Sequence, residues 1–256
     1  MVETLILCLF GLAWGSFLNV VIYRLPRGKS IIYPPSSCPL CGARIRWYDN
    51  IPIVSFLILK GKCRFCHQPI SWVYPLVEAI TAGLLLLLYF RYALSLHFFA
   101  AALFTSALIV LGFIDFWHQL LPDEITLPLF LLSLVYALFR PDFNLRQALA
   151  GAVVGSGFLF LTYAVYFWLR KKEGLGIGDI MMMLGVGAFL GLRETILTLI
   201  LASFSGALMG VFLLFRQKKS LQFALPFGSF LAPATFVSLM WGEKIITWYF
   251  SLFSLP

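Results

Sequence analysis

Two aspartates and four cysteines carry the reactive chemistry of this sequence. Asp115 stands in Gly112-Phe113-Ile114-Asp115, and Asp179 stands 64 residues later in Gly176-Ile177-Gly178-Asp179. Each adjoins a long apolar run, where an ionisable group is costly and marks function. Two carboxylates that share a site cannot both ionise easily, so such a pair titrates as a unit. One holds a proton and the other acts as a base, which is the machinery of aspartyl proteolysis. The base takes a proton from water, the water attacks a peptide carbonyl, and the acid protonates the oxygen; the proton taken from water is then available to the leaving amine. Gly176 and Gly178 would let a substrate backbone approach closely and permit an unusual turn into the following helix. An aspartate at a helix start also faces favourable amide dipoles, whereas Asp115 closes a helix, where the dipole disfavours it.

The remaining polar candidates have simpler readings. Asp123, after Pro122, is expected to cap the next helix, a role that Asp179 can combine with catalysis. Asp142 follows Pro141 in a short external turn, and Asp49 lies among the cysteines. His118 is read as a polar anchor at a span boundary.

The cysteines read Cys38-Pro-Leu-Cys41, then 21 residues, then Cys63-Arg-Phe-Cys66. Two such knuckles supply the four thiolates of a tetrahedral structural zinc site. Arg44, Arg46, Lys62 and Arg64 offset the charge of a zinc tetrathiolate. Two disulfides or a redox pair are the alternatives. Disulfides are disfavoured in a reducing cytoplasm, and a thioredoxin-like motif lacks its strand and helix context. His67 is a bystander, since four sulfurs fill the shell, and Cys8 is a packing residue. A module this small has little core, so zinc would supply folding energy.

Positioning these groups falls to membrane spans. Of 256 residues 61% are hydrophobic and 12% charged, against about 25% charged in an ordinary soluble domain. Apolar runs at 2–23, 72–90, 95–114, 125–139, 147–169, 180–192, 196–215 and 223–241 predict about eight transmembrane helices. The apolar tail at 245–255 is too short to span and either lies at the interface or extends the last helix. The first run is a retained helix, because its basic residues Arg24, Arg27 and Lys29 follow it. Of 19 Lys and Arg, eight fall within 24–64, three within 170–172 and three within 216–219. Eight spans with an outside N-terminus put all three clusters on the cytoplasmic side. That topology accounts for the net charge of +8 and disfavours nucleic acid as a partner. It also places Asp115, Asp123 and Asp179 at one membrane face.

The predicted fold is therefore all-α and polytopic in membrane lipid, with a small cytoplasmic zinc-binding module between the first two helices. Residues 1–92 form one part and 93–256 a second. Gly151, Ala152, Gly155 and Gly157, with Gly185, Gly187 and Gly191, either pack the chain's own helices or receive a substrate helix laterally.

The chain resembles the prepilin peptidases, also called type IV leader peptidases, which are bacterial membrane aspartyl proteases of the Gly-x-Gly-Asp class. The resemblance runs through Gly15-Ser16-Phe17-Leu18-Asn19 to Leu25-Pro26, the four cysteines, Asn50-Ile51-Pro52, Tyr74-Pro75-Leu76-Val77-Glu78, Ile114-Asp115, Leu121-Pro122-Asp123 and Gly176-Ile177-Gly178-Asp179. It implies that Asp115 and Asp179 are the catalytic pair. It implies cleavage, at the cytoplasmic face of the inner membrane, after a glycine ending the basic leader of type IV prepilins or pseudopilins. It also implies service to type IV pili, type II secretion or DNA uptake, and methylation of the new N-terminus from S-adenosylmethionine by the N-terminal part. One departure is Met181, where the family often has lysine. No Gly-rich strand-turn-helix pattern marks a donor site. A transporter using boundary aspartates for ion coupling, and a methyltransferase without protease activity, are the competing functions.

The topology has a direct check. Reporter fusions at Lys62, Arg170 and Lys218 are expected to report cytoplasm, and one at Asp142 the outside. The opposite result at any of them breaks the eight-span arrangement.

Overall fold

The computed structural model describes residues 1–141, 143–172, 174–217 and 225–252, without the side chains of 216 and 217. Asp142, Lys218 and Lys219 lie outside the described residues. The described residues form nine α-helices: α1 (Val2–Arg24), α2 (Val54–Ile58), α3 (Val73–Tyr92), α4 (Leu96–His118), α5 (Asp123–Ala137), α6 (Leu145–Arg170), α7 (Ile177–Leu190), α8 (Leu192–Gln217) and α9 (Gly228–Ser251). The described residues contain no strand, only the isolated bridges Ser37–Arg44 and Lys62–Pro69.

Apolar and polar residues are distributed as a bilayer requires. Leu5, Ile6, Leu9, Phe158, Leu161, Ile200, Phe204 and Leu208 are exposed, while Thr81, Thr105, Thr195, Thr198 and Thr235 are buried. Large exposed apolar stripes of this kind are satisfied by lipid. Five helices are long and apolar enough to cross: Val2–Arg27, Val73–Tyr92, Leu96–His118, Leu145–Arg170 and Leu192–Phe215. The protein is thus a multi-pass membrane protein. Each of the eight predicted runs overlaps one long helix, but α5 and α7 have only 15 and 14 residues. At 1.5 Å per residue they reach about 22 and 21 Å, short of the ~30 Å hydrocarbon layer.

Several helix ends differ from the predicted ones, and backbone chemistry explains them. The sixth run ends at Leu190, because Gly191 takes φ +83 and α8 starts at once with Leu192. The last helix starts only at Gly228, after Pro226, and runs on through much of the apolar tail to Ser251. Asp115 does not close its helix. α4 continues for three more residues to His118.

The chain divides into two compact units, Met1–Val110 and Leu111–Pro256, with the boundary inside α4. In the first unit α1 lies against α3. A Cβ on Gly11 would sit 2.7 Å from Ala82 Cα, and one on Gly15 would sit 2.7 Å from Glu78 Cα. Small residues at these positions let the backbones meet. Asn19 Nδ2 donates to the Tyr74 carbonyl at 3.0 Å, and Trp14 Nε1 donates to Ser106 Oγ at 2.9 Å.

In the second unit α7 is the hub, with nine of its fourteen residues buried. It runs antiparallel to α6, with Gly187 against Gly151 and Met183 against Gly155. A Cβ on Gly187 would lie 2.3 Å from the Gly151 carbonyl oxygen, so the two glycines admit direct backbone contact. Gly185 receives Leu129 of α5, and Gly191 receives the ring of Phe143. Arg140 Nη1 donates to the Phe189 carbonyl at 3.1 Å, placing a cation at the C-terminus of α7.

The small residues of α6 and α7 are therefore mostly consumed in packing. Gly151, Ala152, Gly155, Gly185, Gly187 and Gly191 contact the chain itself or are buried, and only Gly157 faces open space. A substrate helix cannot use the former set. Replacing Gly187 by Val is expected to cost about 1–3 kcal/mol or more through overpacking. Gly157→Ala should stay within about 0.5 kcal/mol of wild type. Thermal unfolding in detergent measures both, and equal stability of the two variants would refute this crossing geometry.

Candidate active site

Asp115 occupies the last turn of α4 and is 5% exposed. Helix geometry turns it inward, beside the buried Ile114 and Leu111. Its Oδ2 accepts the Ser229 N–H at 2.8 Å. The Ser229 hydroxyl lies 3.1 Å from the same oxygen and 3.2 Å from the Gly112 carbonyl, so one proton serves two acceptors. These donors stand in the first turn of α9, where backbone amides have no intrahelical partner and the helix dipole favours an anion. Gly228 makes the approach possible, since a Cβ there would lie 3.0 Å from Asp115 Oδ2.

Asp179 is the third residue of α7 and is 6% exposed. Its Oδ2 accepts the Gly176 N–H at 3.2 Å, and its own N–H donates to the Gly176 carbonyl at 3.1 Å. It thus closes the helix start from inside the first turn, and the N-cap itself is Gly176. Its Oδ1 is buried and has no hydrogen-bond partner among the described residues. Two buried acids from helices far apart in sequence therefore flank one loop residue, Leu121, which meets Gly178 beside Asp179 and Gly228 beside Asp115.

The glycines before Asp179 have a different use from the one their pattern predicts. A Cβ on Gly178 would lie 2.8 Å from Leu121 Cβ. The space is taken by the loop after α4, so the close approach is that of the protein's own backbone. Leu121 is itself buried and also meets Gly228, which makes it a wall of the site.

The other acids are placed apart from this pair. Asp123 is the first residue of α5, exposed, and the cap position belongs to Pro122 with no side-chain cap bond. The expected capping role is therefore corrected to a charge at the helix start, because the turn at Pro122 places the helix boundary one residue earlier. His118 ends α4 and is exposed. Asp49 accepts from Arg64 through Nε at 2.8 Å and Nη2 at 2.6 Å. The Arg64 guanidinium holds its carboxyl below the usual range.

The four cysteines come together outside the helices. The sulfurs of Cys38, Cys41, Cys63 and Cys66 all lie within 4.8 Å of one another, with Cys38 and Cys66 at 3.9 Å. No disulfide joins them. A tetrahedron with ~2.3 Å bonds has sulfurs about 3.8 Å apart, so the cluster can hold a metal ion after slight contraction. The two knuckles have the same backbone pattern. Cys38 N–H donates to Ala43 O and Cys63 N–H to Gln68 O, both at 2.9 Å. Gly42 N–H then returns to Cys38 O at 2.9 Å, and His67 N–H to Cys63 O at 3.0 Å. Gly42 and His67 take the same left-handed turn, at φ +71 and +56. His67 is the turn residue of its knuckle and stands outside the sulfur cluster. The Cys63 thiol is pulled down to about 7, first by the Cys66 amide and then by that of Phe65. Thiolates facing backbone amides are ready metal ligands.

Sequence reasoning missed Gly228 and Ser229 as partners of Asp115, because an unbroken apolar run from 223 hid the helix start. Pro226 followed by Gly228 was the available signal. Glu78 belonged to a quoted motif, yet its burial was not foreseen.

Comparison with known proteins adds to this geometry. Residues 9–92 match the Bacterial Peptidase A24 N-terminal domain, and residues 102–211 match the Type IV leader peptidase family. A prepilin leader peptidase/N-methyltransferase of Aeromonas hydrophila is 37% identical, covering 96% of this chain and 93% of that protein. One of Pseudomonas putida is 38% identical, over 92% of this chain and 89% of the relative. One of Pseudomonas aeruginosa is 37% identical, over 95% and 93%. No solved structure matches this chain.

Elemental analysis of the purified protein is expected to find about one metal ion per chain, as a single four-sulfur site dictates. Cys38→Ser or Cys63→Ser should lower that content and the melting temperature together. Full melting stability without metal would remove the cluster from the folding of the module.

Proposed function

This chain belongs to the type IV leader peptidase family, and we propose that it removes the basic leader from type IV prepilins or pseudopilins with Asp115 and Asp179, then methylates the new N-terminus. The single observation that carries the cleavage reading is that two buried carboxylates flank Leu121, which packs against Gly178 beside Asp179 and against Gly228 beside Asp115. Asp115 is anchored by Ser229, while Asp179 presents a buried Oδ1 with no partner among the described residues. A water held between them gives up a proton to the ionised member and attacks the scissile carbonyl. The protonated member donates to the developing oxyanion, and on collapse the member that took the water's proton passes it to the departing amine while the gem-diol returns one proton to the other carboxylate. The Gly228 and Ser229 amides keep a negative charge tolerable at Asp115 throughout.

The N-methyltransferase reading rests on the printed names of the relatives and on the match to the A24 N-terminal domain. S-adenosylmethionine would supply an electrophilic methyl group. The division of labour assigns methylation to residues 1–92 and cleavage to residues 93–256. Zinc is the metal best suited to four cysteines, and with every position filled by sulfur its role is structural.

Eight spans, an inner-membrane location and a site facing the cytoplasm complete this reading. Its support is the distribution of basic residues and the common boundary position of the two aspartates. Family membership does not favour ion-coupled transport. Pilus, secretion and competence machines all present substrates of the required kind, a basic leader joined to an apolar helix.

Asp115→Asn and Asp179→Asn are expected to reduce cleavage of a full-length precursor by at least about 10²–10⁴-fold, the scale of a lost acid or base. Asparagine still accepts the Ser229 and Gly176 hydrogen bonds, so both variants should insert and melt like wild type. Asp123→Asn, at an exposed position, should cleave nearly normally. Mass spectra of the product after timed incubation separate these cases. Near-normal cleavage by either of the first two variants would dismiss the pair.

A further inference from the structure

The N-terminal unit holds a buried carboxylate that cleavage does not use. Glu78 lies on the second turn of α3 and is 7% exposed. Its Oε2 accepts the Ile53 N–H at 2.8 Å, and its carboxylate also meets the Ser16 hydroxyl. Asn19, one turn further along α1 than Ser16, is 4% exposed and donates to the Tyr74 carbonyl on the same end of α3. Gly15 brings the α1 backbone directly against Glu78 Cα. Among the described residues no Lys, Arg or His pairs with Glu78.

A carboxylate at this depth ordinarily answers a cation. Holding the Ile53 loop does not by itself require an acid, because a glutamine would accept the same N–H. The contact is also made under strain. Ile53 has φ +59, a conformation that β-branched residues avoid, so the loop is held close above the acid at a cost. The acid lies just inside the end of α3 that emerges from the cysteine module.

We infer that Glu78, with Ser16 and Asn19 beside it and Ile53 above, is the acceptor site of the methyl transfer and takes the N-terminal ammonium of the cleaved product. This rests on the methyltransferase reading above. The product's ammonium first pairs with the Glu78 carboxylate and passes one proton to it. The freed lone pair forms a new N–C bond with the methyl group of the sulfonium donor. The C–S bond breaks, its electron pair stays on sulfur as a neutral thioether, and the nitrogen carries the charge as a secondary ammonium. Glu78 thereby acts as base and as the selector of an amine over any other nucleophile.

The test uses the full-length protein in detergent with a prepilin precursor. Glu78→Gln keeps an acceptor for Ile53 and should melt and retain metal as wild type does. It should still cleave the precursor, since both aspartates lie in the other unit. Methyl addition, read by mass, should fall by about 10²–10⁴-fold, as for loss of a general base. Binding gives a second readout. Wild type should prefer a peptide with the free mature N-terminus over its N-acetylated form by on the order of tenfold or more, the scale of a charged hydrogen bond. Glu78→Gln should lose that preference. Methylation at the wild-type rate by the variant, or an unchanged amine preference, overturns the acceptor role alone. A wild-type enzyme that cleaves but adds no methyl overturns the methyltransferase reading and the acceptor role with it.

Discussion

A carboxylate among apolar helices persists only where backbone amides or other polar groups face it, and most of the second unit follows from that constraint. Asp115 lies where the dipole of its own helix disfavours it, so the donors have to come from elsewhere. They come from the first turn of α9, through the Ser229 N–H and hydroxyl. Asp179 takes the opposite solution and satisfies one oxygen within its own helix start. Leu121 packs against both Gly178 and Gly228 and so lies beside each acid. The position of α9 therefore decides how Asp115 is held, although no residue of that helix is acidic there.

Glycine contacts make this convergence affordable in space. α7 reaches the centre of the unit because Gly187 meets Gly151 and Gly185 accepts Leu129. Lipid offers no hydrophobic drive for helices to associate, so backbone proximity and shape carry the packing. The first unit uses the same device at Gly11 and Gly15 against α3. There the close approach also seats the Glu78 carboxylate beside α1.

Much of this was legible in the sequence. Long apolar runs marked the helices, and the spacing of the cysteines announced a cluster that the chain does bring together. Span counting predicts one boundary for the two aspartates, and the structure buries both beside Leu121. What stayed hidden was local. Helix ends depended on single backbone conformations such as Gly191, which hydropathy does not register. The use of Gly178 to admit Leu121, and of Ser229 to hold Asp115, depends on contacts between segments distant in sequence. A composition-based reading assigns such glycines to substrate with equal ease. His67 was rightly kept outside the sulfur cluster, but its turn geometry emerged only from comparing the two knuckles atom by atom.

The shortness of α7 sets the depth of the site. From the Gly151–Gly187 crossing, α6 continues to Arg170, about 28 Å at 1.5 Å per residue, while α7 extends back to Ile177 over about 15 Å. Asp179 thus lies more than 10 Å beneath the end of its neighbour. Because α7 is sheathed by other helices, this mismatch is not felt by lipid and needs no thinning of the bilayer.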